Sequence, residues 1–434
     1  MLQRAIIAAA ALAAALTGSS FAQDAQVAHI IHAGRLLADP SNGRVLTEHS
    51  ILVGADGKVI GVEPGYVTRA GANVIDQRNR FVLPGLIDSH VHLSGELGAN
   101  SLMDSVTLTA ADAALRAAEN ARKTLNAGFT TVADLGAPND AIFALRRAIR
   151  EGRTDGPRII ASGHGVTPDG GHGDAQGWSP HVLDVLRSDT ACSGADACRR
   201  ATRRQIQAGA DVIKITATGG VLSNTNAGVL QQLSDDELAA IVDAAHSMGR
   251  RVTAHAHGVE GINAALRAGV DSIEHGSYLD RESVRLLRQG DRYLVPTLLA
   301  GWWVGQLADR GGILTPAQTA KTRQVSADMR NMGRFARQNN VRVAYGTDTG
   351  VSPHGMNARE FALLVEAGFS PLQAIQTATV NAADHLQLGQ TAGRIAPGYS
   401  ADLIAVDGDP LADVAVLESG VRFVMARGGV YRND

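Results

Sequence analysis

The sequence lacks an excess of either charge: 40 basic residues face 43 acidic ones, a net charge of −3. That removes the electrostatic case for nucleic acid or an anionic membrane surface as a partner. Long apolar runs are missing too. The best candidate, from about Ala5 to Leu16 in MLQRAIIAAAALAAALTGSSFAQDAQ, is too short to span a bilayer comfortably. With Arg4 before it and the small-residue site Ser20-Phe21-Ala22 after it, the run predicts a secretory signal peptide over residues 1–22. The mature protein is then secreted, or periplasmic in a Gram-negative cell. Cysteine is scarce: Cys192 and Cys198, in ACSGADAC, are the whole complement. An oxidising compartment suits a local disulfide between them, although so short a loop stabilises only modestly. No further Cys or nearby His completes a metal site around them.

What is present is enough apolar sequence for a large core, 45% of 434 residues. Residues 23–80 alternate apolar and polar positions between turns at Asp56-Gly57 and Pro64-Gly65, and residues 389–434 do the same. These ends predict one small β-sandwich domain assembled from both termini. The middle, residues 81–388, alternates strands with helical stretches rich in Ala, Leu, Arg and Glu. Strands are expected at 81–88, 129–134, 158–162, 212–216, 251–255, 271–275, 293–296 and 341–347. That alternation is the pattern of an α/β fold of the (β/α)8 TIM-barrel type. A doubly wound open sheet is disfavoured, because no Gly-rich phosphate loop follows the first strand.

One residue disturbs the pattern. GADVIKITATGG reads as a strand, yet Lys214 sits inside it, where an ammonium group is costly without water or a partner. A lysine snorkelling from an exposed edge is the ordinary explanation. The ends of the neighbouring strands suggest another. LIDSHVHL carries His90 and His92, VTAHAHG carries His255 and His257, VDSIEHG carries His275, and VAYGTDTG carries Asp348. Active sites of such barrels lie at these strand ends. Residues two apart share a face, so His90 and His92 can grip one ion, while Glu274 is expected to point away from the axis if His275 points in. Any one of these histidines alone is more often a core or surface residue; their convergence at one end of a barrel is what carries the reading.

The segments PGLIDSHVHL, IKITATGGVLS, TAHAHG, GVDSIEHG and GTDTGVSPHG resemble the amidohydrolase superfamily, and within it the imidazolonepropionase-like branch. That branch includes metal-dependent Xaa-Pro dipeptidases, related carboxypeptidases and ochratoxin-type amide hydrolases. The resemblance implies two divalent metals, with zinc favoured by the donors. It places one on His90, His92 and Asp348 and the other on His255 and His275, with Lys214 carbamylated by CO2 and bridging them. It also implies attack of a metal-bridging hydroxide on the amide or dipeptide carbonyl, with Asp348 carrying the proton to the leaving nitrogen. His257 is either a second donor to the oxyanion or a residue that orients His255. His172, Tyr278, His354 and Arg359 are candidate substrate contacts, with His164 as a further one; each is equally readable as a loop residue. Trp302 and Trp303 suit an apolar pocket or the interface of an expected homo-oligomer. A mononuclear deaminase has no use for Lys214. A ring-opening or enamide hydrolase and a non-catalytic metal-binding protein remain as alternatives.

Overall fold

The computed structural model describes residues 26–224 and 228–434, so the expected signal peptide lies outside the described residues. Four strands open the chain: β1 (Val27–Leu36), β2 (Leu46–Gly54), β3 (Val59–Pro64) and β4 (Asn73–Pro84). Three close it: β14 (Leu403–Val406), β15 (Val421–Ala426) and β16 (Gly429–Asn433). Their pairing forms one seven-stranded sheet, ordered β16-β15-β14-β4-β1-β2-β3. The expected domain from both termini is therefore a single sheet rather than two separate ones. It curls around its own core of Ile31, Ile51, Val82, Leu403 and Phe423. The curl is held where Val59 N donates to the Tyr399 carbonyl at 2.8 Å and Gly398 N donates to the Val59 carbonyl at 2.9 Å.

Between these ends run β5 (Leu86–Val91), β6 (Phe129–Asp134), β7 (Arg158–Ala161), the short strands β8 (Thr167–Pro168) and β9 (Ala191–Cys192), then β10 (Ile213–Thr216), β11 (Val252–Ala256), β12 (Ser272–His275) and β13 (Tyr293–Val295). β5-β6-β7 and β10-β11-β12-β13 are parallel sheets, giving a mixed α/β fold. Helices such as Asp235–His246 and Val259–Ala268 turn Leu238, Ile241, Ile262 and Leu266 onto the strands. No helix among the described residues is long and apolar enough to cross a membrane.

Two expected strands differ. Residues 81–88 belong to two strands, because Pro84 offers no N–H and Gly85 runs so close to Thr130 that a side chain would collide. Residues 341–347 form no regular strand; Tyr345 N bonds the Thr377 carbonyl instead of a neighbouring strand. The segment still touches both flanks. Ala344 N donates to Leu294 O at 3.0 Å, and Ser89 N donates to Tyr345 O at 2.8 Å. Val166 likewise bonds the β10 backbone, through Lys214 O and Thr216 N. Cys192 and Cys198 form a disulfide that ties β9 to the helix Ala195–Ala208.

Candidate active site

The residues singled out at the strand ends converge on one cavity of about 470 Å³. His90, His92, His164, His172, Lys214, His255, His257, His275 and Asp348 all line it. Donor atoms of His255, His257 and His275 lie within 4.8 Å of one another, as do those of His90, His275 and Asp348. Two such triads sharing His275 are a chemically apt cradle for divalent metal: imidazole nitrogen and carboxylate oxygen at short range. His92 reaches the second triad through Nε2, 3.2 Å from Asp348 Oδ1.

Backbone geometry makes this possible. His275 has φ of 70° and Asp348 φ of 57°, left-handed conformations costly for residues other than glycine. The turn at His275 breaks the alternation of β12, so the expectation that Glu274 faces away from the axis is wrong. Both residues reach the interior. Glu274, fully buried, accepts from His90 Nδ1 at 2.7 Å and from Ser272 Oγ at 2.9 Å, with Thr253 as a further donor. Glu274 does not line the cavity, and its donors leave it no free face to offer a substrate.

Three other imidazoles are aimed in the same way, each by a hydrogen bond on the ring nitrogen turned from the cavity. His92 Nδ1 is 2.9 Å from the Gly136 carbonyl, His257 Nδ1 is 2.7 Å from Ser277 Oγ, and His275 Nδ1 is 2.7 Å from Thr297 Oγ1. Burial holds His90, His255 and His275 far below the ordinary imidazole pKa and brings His257 to about 3. These rings are therefore neutral and can act as ligands at neutral pH. Burial also lowers His92, but Asp348 outweighs it and holds that ring above its usual value. Asp348 is lowered: burial opposes this, and His90 and His92 prevail.

Lys214 is 6% exposed, which excludes the snorkelling explanation. The one hydrogen-bond neighbour of its Nζ among the described residues is His90 Nε2, at 3.3 Å. Burial depresses its pKa against the pull of Glu274, Asp348 and Asp134.

The loop candidates divide. His172 enters the cavity, with Nδ1 2.6 Å from Ser223 Oγ, and burial brings it to about 4. Tyr278 packs against Val221, Val325 and Met329 beyond the wall. His354 is buried and fastens a loop, with Nε2 3.0 Å from the Gly95 carbonyl. Arg359 opens the helix Arg359–Glu366, pairs with Glu418 at 3.4 Å and covers Trp302. Neither tryptophan lines the cavity; helical periodicity gives that face of Leu298–Arg310 to Ala300, Gly301 and Val304.

Two supporting residues carry no local signal. Buried Lys321 donates to the carbonyls of Gly220 at 3.0 Å and Ser223 at 2.6 Å, holding the loop on which His172 rests. Glu360 accepts from Leu298 N at 3.0 Å and Leu299 N at 2.6 Å, capping the helix that follows Thr297. Each acts across a distance in sequence that motif spacing does not reveal.

Comparison with known proteins agrees with this geometry. The amidohydrolase family model matches residues 81–430. Ochratoxinase of Aspergillus niger is 31% identical over 413 residues, covering 90% of this chain and 83% of that protein. The structure of a Xaa-Pro dipeptidase with bound methionine superimposes with a TM-score of 0.88 at 35% identity, over 93% of this chain and 100% of the other. A prolidase complexed with N-methylphosphonate-L-proline gives 0.85 at 31% identity, over 94% of this chain and 100% of the other. Shared architecture and a matching family model agree with the neutral imidazoles and the single carboxylate gathered at the strand ends: the chain belongs to the amidohydrolase family and is a hydrolase of amide C–N bonds.

Proposed function

We infer that this is a binuclear metal-dependent hydrolase on a (β/α)8 barrel, cleaving an amide whose amine product is an amino acid with a free carboxylate. The observation that carries the reading is Lys214, buried in the wall of the same cavity beside His90 with no ion pair among the described residues. His90, His92 and Asp348 would hold one ion and His255 and His275 the other, zinc being the best match to the donors. Lys214, as a carbamate formed with CO2, would stand between them. The grouping of His257 with His255 and His275 supports its place beside the second ion, where it can face the substrate. When bound, divalent ions supply Lewis acidity and lower the pKa of water.

The chain's own residues do the rest. Asp348, close to His90 and His92, accepts the proton of the attacking water and returns it to the departing nitrogen. Ser277 fixes the His257 ring so that its other nitrogen faces the cavity, where it can meet the developing oxyanion. His164 and His172, with Ser94 and Thr216, are the further polar side chains that line the cavity and could meet the substrate. The dipeptidase, prolidase and ochratoxinase relatives support an amino acid leaving group. The test is hydrolysis of Xaa-Pro dipeptides and N-acyl amino acids, with metal content measured on the same sample. Free acids should be cleaved at least tenfold faster than their C-terminal amides; equal rates overturn the carboxylate requirement.

A further inference from the structure

The cavity lined by the two donor triads does not end at its own walls. A second chamber of about 610 Å³ shares His92, Ser94, Gly136, Pro138, Leu222 and Val351 with it. The first cavity alone falls within the usual size of a small-molecule site, about 300–1,000 Å³. A further volume opening beside two residues of the site, His92 and its neighbour Ser94, is more than a dipeptide requires.

The chamber's chemistry narrows its occupant. Leu97, Leu108, Ala110 and Ala113 add apolar wall to that of Leu222 and Val351. Among the described residues that line it, Arg116 is the one cation apart from the His92 imidazole, and Arg116 is taken up by Asp104 at 2.8 Å. Glu96, also in the wall, has its carboxylate turned to His354 N at 3.1 Å. With two carboxylates against one paired guanidinium, the chamber has nothing to offer a substrate carboxylate and repels one. The imidazole-rich first cavity is the better place for that group.

We propose that this chamber is a subsite for the acyl portion of the substrate, taking an uncharged apolar group larger than an amino acid residue, such as an aromatic or medium-chain acyl group. The inference rests on the reading of the chain as a hydrolase releasing an amino acid. The carbonyl then lies at the donor triads, the amino acid in the first cavity, and the acyl group passes His92 into the second. Burial of the acyl surface contributes binding that a short acyl group lacks, so selectivity appears mainly in KM.

The experiment uses full-length metal-loaded enzyme and N-acyl-L-proline and N-acyl-L-phenylalanine series bearing acetyl, hexanoyl, dodecanoyl and 2-naphthoyl groups. Two variants alter the chamber from exposed positions: Ser105→Trp fills it and Leu108→Asp places a charge in its wall. The wild type should favour 2-naphthoyl over acetyl at least tenfold in kcat/KM, and both variants should bring that ratio toward one. A flat series, or a ratio that neither variant changes, overturns the subsite while leaving the hydrolase reading intact. Absence of turnover for every substrate, dipeptides included, overturns the reading of a hydrolase that releases an amino acid. Calorimetric binding of the corresponding N-acyl-D-phenylalanines then judges the chamber by the same tenfold preference and its loss in the variants.

Discussion

Lys214 shows how a single residue can be legible in sequence while its explanation is tertiary. The β-branched run around it makes the ammonium anomalous, and the structure removes the exposed-edge account by burying it beside His90. If a carbamate on Lys214 joins two ions, Lys214→Ala should lose at least one metal equivalent and most activity, with part restored by high concentrations of formate or acetate. Lys214→Arg should not respond, since a fixed cation fills the space. Normal metal loading and turnover in Lys214→Ala, measured by elemental analysis and assay, would sink the bridge. Asp348 carries the complementary prediction. Its carboxylate lies 3.2 Å from His92 and 3.5 Å from His90, placed to hold both ion and proton. Asp348→Asn should lower kcat by about 10²–10⁴-fold. A variant that keeps its metal and most of its turnover would remove Asp348 from proton transfer.

At the scale of elements, the helix Leu298–Arg310 is the part of the site that strand patterns do not disclose. Its first turn is held by Glu360, and Thr297, just before it, bonds the Nδ1 of His275. Burial pushes the Glu360 carboxyl from 4.5 up to about 8, against the two backbone N–H donors and with a smaller upward push from Asp88. The folded protein therefore retains a proton that the unfolded chain releases. Stability from this group is fully present below about pH 4.5 and is lost as pH rises through about 8. Glu360→Gln cannot titrate, so its thermal midpoint should lack that component. Melting both proteins from pH 5 to 8.5 should show the wild-type advantage shrinking with pH; a constant difference would contradict the assignment. The same scale explains Glu274. Strand alternation assigns it the wrong direction because the left-handed φ of His275 is invisible to a period-two pattern.

Across the whole molecule, the terminal sheet and the parallel strands are joined by polar contacts as well as core. Arg158, which opens β7, reaches Asp402 at 3.0 Å and Thr131 at 2.9 Å, while Asp402 also accepts from Arg427 N at 2.7 Å. Asp402 is 3% exposed, so its removal strands partners that water reaches poorly. Asp402→Ala should cost about 2–3 kcal/mol, the range for charge-assisted hydrogen bonds lost from a buried site. Urea denaturation should report that loss as a lower midpoint; an unchanged midpoint would mean the link contributes nothing.

Much of the site is legible in the amino-acid sequence by itself. His90, His92, Lys214, His255, His275 and Asp348 all line the cavity, and they stand out in the sequence because imidazole, carboxylate and a lone lysine are unusual in or just after apolar strands, a signal written locally. So is the α/β alternation, which follows from hydrophobic period. Tertiary structure alone decides the rest. It places Glu274 inside, gives the cavity wall to Ala300 and Gly301 instead of Trp302, and takes His354 and Arg359 away from the cavity to fasten a loop and cover a tryptophan. Lys321 and Glu360 act on backbone groups remote in sequence. For His354, Arg359, Lys321 and Glu360 the physical reason is shared: a loop side chain or an isolated buried charge goes wherever an unpaired donor or acceptor awaits it, and that is set by packing between distant segments rather than by periodicity along one.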